Sequence, residues 1–192
     1  MKLIFDKIFS LVGLIVFAPV FLLLAILIKL LSDGPIIYYQ KRVGQYGKLF
    51  NIYKFRTMYV NTDENSISVK GDRRITKLGV FLRRYKLDEL PELWNVFIGD
   101  MSFVGPRPDV PGYADKLKDE SVKVLLLKPG ITGPASLKYI KEEEILASVS
   151  DPIKYNNEVI FPDKVKINLE YYENHNILFD IKIIVKTILR KN

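Results

Sequence analysis

Cysteine is absent from the 192-residue chain, and histidine and tryptophan occur once each, as His175 and Trp94. The lack of cysteine excludes a disulfide framework and any thiolate-bound metal, and it fits a reducing compartment. One histidine cannot build a histidine-rich metal cluster, and His175, beside Asn174 in a polar stretch, is too isolated to read as a catalytic base. The chain is long enough to bury a real core but too short for two catalytic domains plus linkers, so one site is expected. With 48% hydrophobic and 27% charged residues it does not read as disordered. That balance suits a soluble body carrying one concentrated apolar segment rather than many membrane passes.

The formal charge of +7 is unevenly placed: residues 41–86 hold twelve Lys or Arg against three acids, whereas 87–192 is slightly acidic. A basic patch of this kind wants an anionic partner, with phosphates, anionic lipid headgroups and nucleic acid as candidates.

Between Lys7 and Lys29 lie 21 uncharged residues, including LVGLIVFAPVFLLLAILI, long enough for a membrane helix. The run is long for a signal peptide, and no small-x-small cleavage site follows it. Pro19 near its middle removes a backbone hydrogen bond and predicts a kink. Lys2 and Lys7 precede the run and Lys29, Lys41 and Arg42 follow it, so both ends can stay on one side. A bent, re-entrant helix is therefore expected; a single spanning helix with a proline kink is the alternative.

After the SDGP turn, IIYYQ and LFNIYKFRTM read as a β-hairpin joined by KRVGQYGK. Lys54 and Arg56, two apart, are expected on one strand face, either as a functional pair or as a solvated basic face. VNTDENSISVKGDRR is polar and without pattern, as a lid loop would be. ITKLGVFLRRY reads as a helix, and a second follows with Leu87, Leu90, Trp94 and Phe97 as its expected apolar stripe. Pro91 fits only a first turn, which places Asp88 at or near the helix cap. GDMSFVGPRPDVPG and KPGITGP are stiff Gly/Pro loops, the first holding Arg107 between Pro106 and Pro108. Near the carboxyl terminus, Ile181, Ile184, Val185 and Ile188 are expected to line one side of a helix and cover the core, with Lys182, Lys186 and Arg190 on another. Glu142, Glu143 and Glu144 read as a solvated face.

Asp88 is explained by capping alone, but its company points further. Arg83, Arg84 and Lys86 lie just upstream, Arg107 lies downstream, and a helix amino terminus attracts phosphate. A carboxylate can attack phosphorus to form an acyl phosphate, and a neighbouring carboxylate can hold Mg²⁺ against substrate phosphates. Adjacent residues point about 100° apart on a helix, so Asp88 and Glu89 suit two different jobs, with Arg83 and Arg107 clamping non-bridging oxygens.

Taken in order, the anchor FAPV, IYKFRTM, KLDELPELWNV, GDMSFVGPRP, KPGITG and a tail with Tyr171, Asn174 and DIK resemble a bacterial sugar transferase. The match is to the smallest, catalytic-domain-only form of the monotopic phosphoglycosyl transferase superfamily. The resemblance implies an α+β, mostly helical fold: a membrane-anchoring re-entrant helix over residues 1–34, then a cytosolic catalytic domain over 35–192 with a small hairpin and amphipathic helices. It implies a protein of the bacterial inner membrane with its active site on the cytoplasmic face. Asp88 would attack the β-phosphate of a UDP-sugar and expel UMP, and Glu89 would bind Mg²⁺. Undecaprenyl or another polyprenyl phosphate would take the phosphosugar from the aspartate, giving a lipid product for downstream glycosyltransferases. Lys54, Arg56, Arg83, Pro106, Arg107 and Pro108 match the family's substrate-binding positions. Ala18 replaces a serine common before the kinking proline, ITGPASLKY replaces a Gly-Trp-Ala-Gln type of segment, and Asn168 stands where many relatives have aspartate. The competing class is a non-catalytic membrane-associated module whose basic patch binds anionic lipid or nucleic acid. Nothing resembles a recognition helix or stacking platform, so no nucleic-acid partner is expected.

Overall fold

The apolar amino-terminal run folds as two helices, broken where the proline demands it. α1 (Lys2–Val16) and α2 (Ala18–Leu31) meet at Phe17 and are bent by 59°. Pro19 lies in the first turn of α2, where a missing N–H costs little. Among the described residues no single helix is long and apolar enough to cross a membrane, but the bent pair together meets that test by length and composition. The structure, a computed structural model, describes residues 2–60 and 72–189. The centre of the expected lid, 61–71, lies outside the described residues.

The hairpin forms as expected from β1 (Ile37–Val43) and β2 (Leu49–Phe55), antiparallel, with Tyr38 opposite Lys54. α3 (Lys77–Arg84) starts at Thr76, whose hydroxyl oxygen accepts from the Gly79 N–H at 2.8 Å and so satisfies a helix-end donor. A 3₁₀ turn, Leu87–Glu89, then leads into α4 (Glu92–Ile98), with Pro91 just before its first residue. β3 (Ser102–Val104) runs parallel to β4 (Gly130–Thr132). The glycines of these loops permit that closeness: a Cβ on Gly130 would come within 2.1 Å of the Gly105 nitrogen. α5 (Pro134–Lys138), α6 (Glu142–Ala147), α7 (Pro152–Tyr155), a π turn at Asn156–Ile160, α8 (Phe161–Asn174) and α9 (Ile177–Leu189) complete the chain. The fold is thus mostly helical with two small two-stranded sheets.

Three apolar clusters hold these pieces together. Leu24 and Ile28 of α2 pack on Phe55 and Leu82, joining the bent pair to the hairpin and α3. Ile52, Val96 and Met101 join β2 to α4, and Val104, Tyr171 and Ile183 join β3 to α8 and α9. Leu82 and Val96 are fully buried, each stabilising the fold by about 2 kcal/mol.

Two helices are rotated from the orientation their apolar spacing predicts. In α4 the buried residues are Glu92, Leu93, Asn95 and Val96, while Trp94 of the expected stripe is 47% exposed. Asn95 sets that rotation by accepting from the Tyr53 N–H at 3.1 Å and donating to the Asn51 carbonyl at 2.7 Å, which clamps α4 to β2. In α9 the inward line runs through Asp180, Ile183, Ile184 and Thr187, leaving Ile181, Val185 and Ile188 exposed. Here buried Asp180 decides. It takes the Lys2 ammonium at 2.5 Å on one oxygen and the Tyr171 hydroxyl at 2.5 Å on the other. Lys2 also donates to Tyr171 at 3.0 Å and to the Val104 carbonyl at 2.9 Å, fastening the start of α1 to the body.

Candidate active site

Lys86 adopts left-handed backbone geometry, φ 56°, at the start of the 3₁₀ turn that carries Asp88 and Glu89. A long side chain in that region is strained by about 1 kcal/mol, and here the strain turns both acids inward, where they are buried. Neither acid caps α4, so the capping account of Asp88 does not hold in the structure. The two carboxylates differ sharply in their surroundings. Asp88 makes no hydrogen bond or ion pair with any described residue, and its Oδ1 is buried without a partner. Burial, and then the charge of Glu89, push its carboxyl above the ordinary aspartate range, against the opposing fields of Lys54, Lys86 and Arg83.

Glu89 is a cation hub. Its Oε1 lies 2.8 Å from Arg107 Nη2, 3.1 Å from Lys54 Nζ and 3.9 Å from Lys86 Nζ. Burial alone would raise this carboxyl, but Arg107, Lys54 and Lys86 outweigh it and hold the group well below the ordinary range. All three contacts fall on Oε1, and no described residue hydrogen-bonds Oε2. Lys54 also reaches Glu92 at 3.1 Å. Glu92 is fully buried, and burial raises its carboxyl to about 7 despite Lys54.

Asp88, Glu89, Lys54, Lys86 and Arg107 line a cleft of about 1220 Å³, shared with Arg42, Arg83, Pro106, Pro108 and Asp109, while Glu92 lies behind them. Arg107 is held by a stiff loop: the Pro106 carbonyl accepts from the Gly130 N–H at 2.8 Å, and the Pro108 carbonyl accepts from Arg42 at 3.2 Å. Asp109 is half-buried in the same lining, and loss of solvent there lifts its carboxyl to about 6. Arg83 donates to the Thr57 hydroxyl at 3.1 Å and lies 3.6 Å from Glu143 across the cleft.

Of the residues singled out from sequence, Lys54, Arg83, Asp88, Glu89, Pro106, Arg107 and Pro108 meet in this cleft. Arg56 does not join them. It donates to the Ser32 carbonyl at 2.8 Å, the Ser32 hydroxyl at 2.7 Å and the Asp33 carbonyl at 2.6 Å, so it ties the end of α2 to the hairpin. The strand ends at Phe55, so the alternation that pairs Lys54 with Arg56 has already lapsed. The three glutamates read as a solvated face also line the cleft, with Glu142 held by Lys164 at 2.7 Å. Glu92 was missed, although its spacing of three from Glu89 is the signal that could have placed it beside the pair. Nothing in the local pattern marked Asn168, which also lines the cleft.

A hard divalent cation fits this donor set in one manner. Among the described residues no group of three or more carboxylates and histidines forms a cage. Glu89 Oε2 and the Asp88 carboxylate nevertheless have no hydrogen-bond partner among the described residues, and Mg²⁺ characteristically takes one or two carboxylates plus substrate phosphates and water.

The family model for bacterial sugar transferases matches residues 1–191. The chain belongs to the bacterial sugar transferase family. It is similar to a UDP-glucose:undecaprenyl-phosphate glucose-1-phosphate transferase of Xanthomonas campestris pv. campestris, 36% identical over 196 residues, covering 98% of this chain and 38% of the relative. An Aeromonas hydrophila protein named a UDP-N-acetylgalactosamine-undecaprenyl-phosphate N-acetylgalactosaminephosphotransferase is 32% identical over 188 residues, 95% of this chain and 41% of the relative. The exopolysaccharide production protein PSS of Rhizobium leguminosarum bv. phaseoli is 36% identical over 200 residues, 98% of this chain and 94% of the relative. The chain thus spans about two fifths of the first two relatives and nearly all of the third.

Proposed function

We propose that the protein transfers a sugar-1-phosphate from a UDP-sugar to polyprenyl phosphate, undecaprenyl phosphate above all, in two displacements at Asp88. The observation that carries this reading is the contrast inside the acid pair: a buried carboxylate without a partner among the described residues beside one whose Oε1 faces three cations. In the first displacement an Asp88 oxygen attacks the β-phosphorus, the bond to the bridging oxygen breaks, and UMP leaves with the electron pair. An acyl phosphate bearing the sugar remains. In the second, a polyprenyl phosphate oxygen attacks the same phosphorus, the acyl–phosphate bond breaks, and the Asp88 carboxylate is regenerated beside a polyprenyl diphosphate sugar. Arg107, Lys54 and Lys86 hold positive charge where the diphosphate must lie, and Arg83 adds to the field at Asp88. Mg²⁺ held by Glu89 Oε2 would offset the charge building on the diphosphate oxygens.

The bent helix pair would enter and leave the membrane on the cytoplasmic side. Both of its ends are fastened to one body, α1 through Lys2 to Asp180 and α2 through Ser32 and Asp33 to Arg56, while outward residues such as Ile4, Ile15, Leu22 and Leu23 are exposed. This supports residues 1–34 as the anchor and 35–192 as the catalytic part. The relatives' names differ in the sugar, glucose in one and N-acetylgalactosamine in another.

The test is UMP release by membranes containing the protein, from a panel of UDP-sugars, with and without Mg²⁺ and polyprenyl phosphate, for wild type and Asp88→Asn. Release that needs the metal and Asp88 supports the transferase. No release with any donor, with anionic lipid still bound by both variants, overturns it in favour of a binding module.

A further inference from the structure

The cleft carries a second set of polar groups, on α5 and α8. Asn168 on α8 is buried and lines the cleft, and its Oδ1 has no hydrogen-bond partner. Ser136 on α5, which packs against α8, also lines the cleft with a buried, unpartnered hydroxyl. Their neighbours are not starved of partners: Thr132 and Thr187, on the same lining, hydrogen-bond each other at 2.7 Å. Tyr139 donates to Asp163 at 2.6 Å and pins α5 to α8, so the wall is braced independently of these two groups. Lys164 of α8 holds Glu142 of α6 at 2.7 Å, and the next residue of α6, Glu143, lies 3.6 Å from Arg83, so α6 bridges this wall to the side of the cleft that carries the acid pair. Buried polar groups without partners are unfavourable unless a ligand completes them.

The groups around Asp88 and Glu89 are suited to a diphosphate, which every nucleotide diphosphate sugar carries, and so cannot distinguish one sugar from another. Discrimination needs polar groups away from the phosphates, and a buried amide penalises a sugar that leaves it unpaired. We infer that Asn168 and Ser136 select the sugar of the donor, by hydrogen bonds to its ring hydroxyl or acetamido groups. This rests on the transferase reading above.

The test uses the full chain in membranes and compares kcat/KM for UDP-glucose, UDP-galactose, UDP-N-acetylglucosamine and UDP-N-acetylgalactosamine. Wild type, Asn168→Leu and Ser136→Ala are measured, with inhibition by UMP as a control for the uridine end. The ratio between the best donor and the next should shrink about tenfold in Asn168→Leu and less in Ser136→Ala, with UMP inhibition unchanged. Unchanged ratios in an active enzyme overturn the inference, as does an equal loss for all donors and UMP, which would assign these residues to the uridine. Where Asn168→Leu does not fold, the ratio in Ser136→Ala decides. A wild type that turns over no donor overturns the transferase reading itself, a result distinct from an active enzyme with unaltered selectivity.

Discussion

Two buried polar clusters in this molecule use the same kinds of side chain to opposite ends. Around Asp180, Lys2 and Tyr171 satisfy both carboxylate oxygens and the Val104 carbonyl completes the set, so the cluster is closed on itself. Around Asp88 and Glu89 the cations crowd one oxygen of one acid, while the neighbouring carboxylate receives none. A closed network lowers the energy of the fold; an open one is held ready for groups that arrive from outside.

The largest expected difference between the clusters is at their aspartates. Asp88→Asn should cut UMP release by at least about a thousandfold while leaving the thermal midpoint unchanged or higher, since it removes a buried carboxylate without a partner. Because the Asp88 carboxyl is raised, the acid limb of the wild-type rate profile should lie above the ordinary aspartate range, with activity falling as pH drops through it. Asp180→Asn should do the reverse, costing about 3 kcal/mol by denaturant unfolding in detergent, with kcat in surviving folded protein within a few-fold of wild type.

Smaller effects sharpen the contrast. Glu92 holds its proton more tightly folded, at about 7, than its ordinary 4.5. The folded chain therefore carries the extra proton between those values, and stability falls as pH rises through them. Glu92→Gln should remove that slope, about 3 kcal/mol, in thermal unfolding followed across the same window. Tyr171→Phe should cost about 1 kcal/mol in the same measurement without altering donor selectivity.

What could be read from the sequence was local. The break beside Pro19, the hairpin, the helix within ITKLGVFLRRY and the stiff loop around Arg107 each follow from a few neighbouring residues, and the structure has them all. The family's motifs marked Arg107 and Lys54 as substrate-binding positions, but their convergence on Glu89 is seen only in the structure. The rotations of α4 and α9 were not legible, because a buried Asn95 and a buried Asp180 override apolar periodicity through partners as distant as Asn51 and Lys2. Arg56 misled for the same reason: alternation assigns a face, but the carbonyls at the end of α2 claim the side chain. Asn168 lies in a helix of ordinary amphipathic pattern; the resemblance marked it only as a departure from the family's aspartate, and the cleft beside it suggests what it does.

The central claim, that Asp88 carries the phosphosugar, is tested most directly by trapping it. The protein is mixed with a UDP-sugar labelled in the β-phosphate, without polyprenyl phosphate, quenched in acid and separated under denaturing conditions. The account predicts label on the peptide containing Asp88 in wild type, released by hydroxylamine, chased by polyprenyl phosphate and absent from Asp88→Asn. Full turnover by a wild type that never retains label would contradict it, placing the transfer in a single direct displacement with Asp88 in another role.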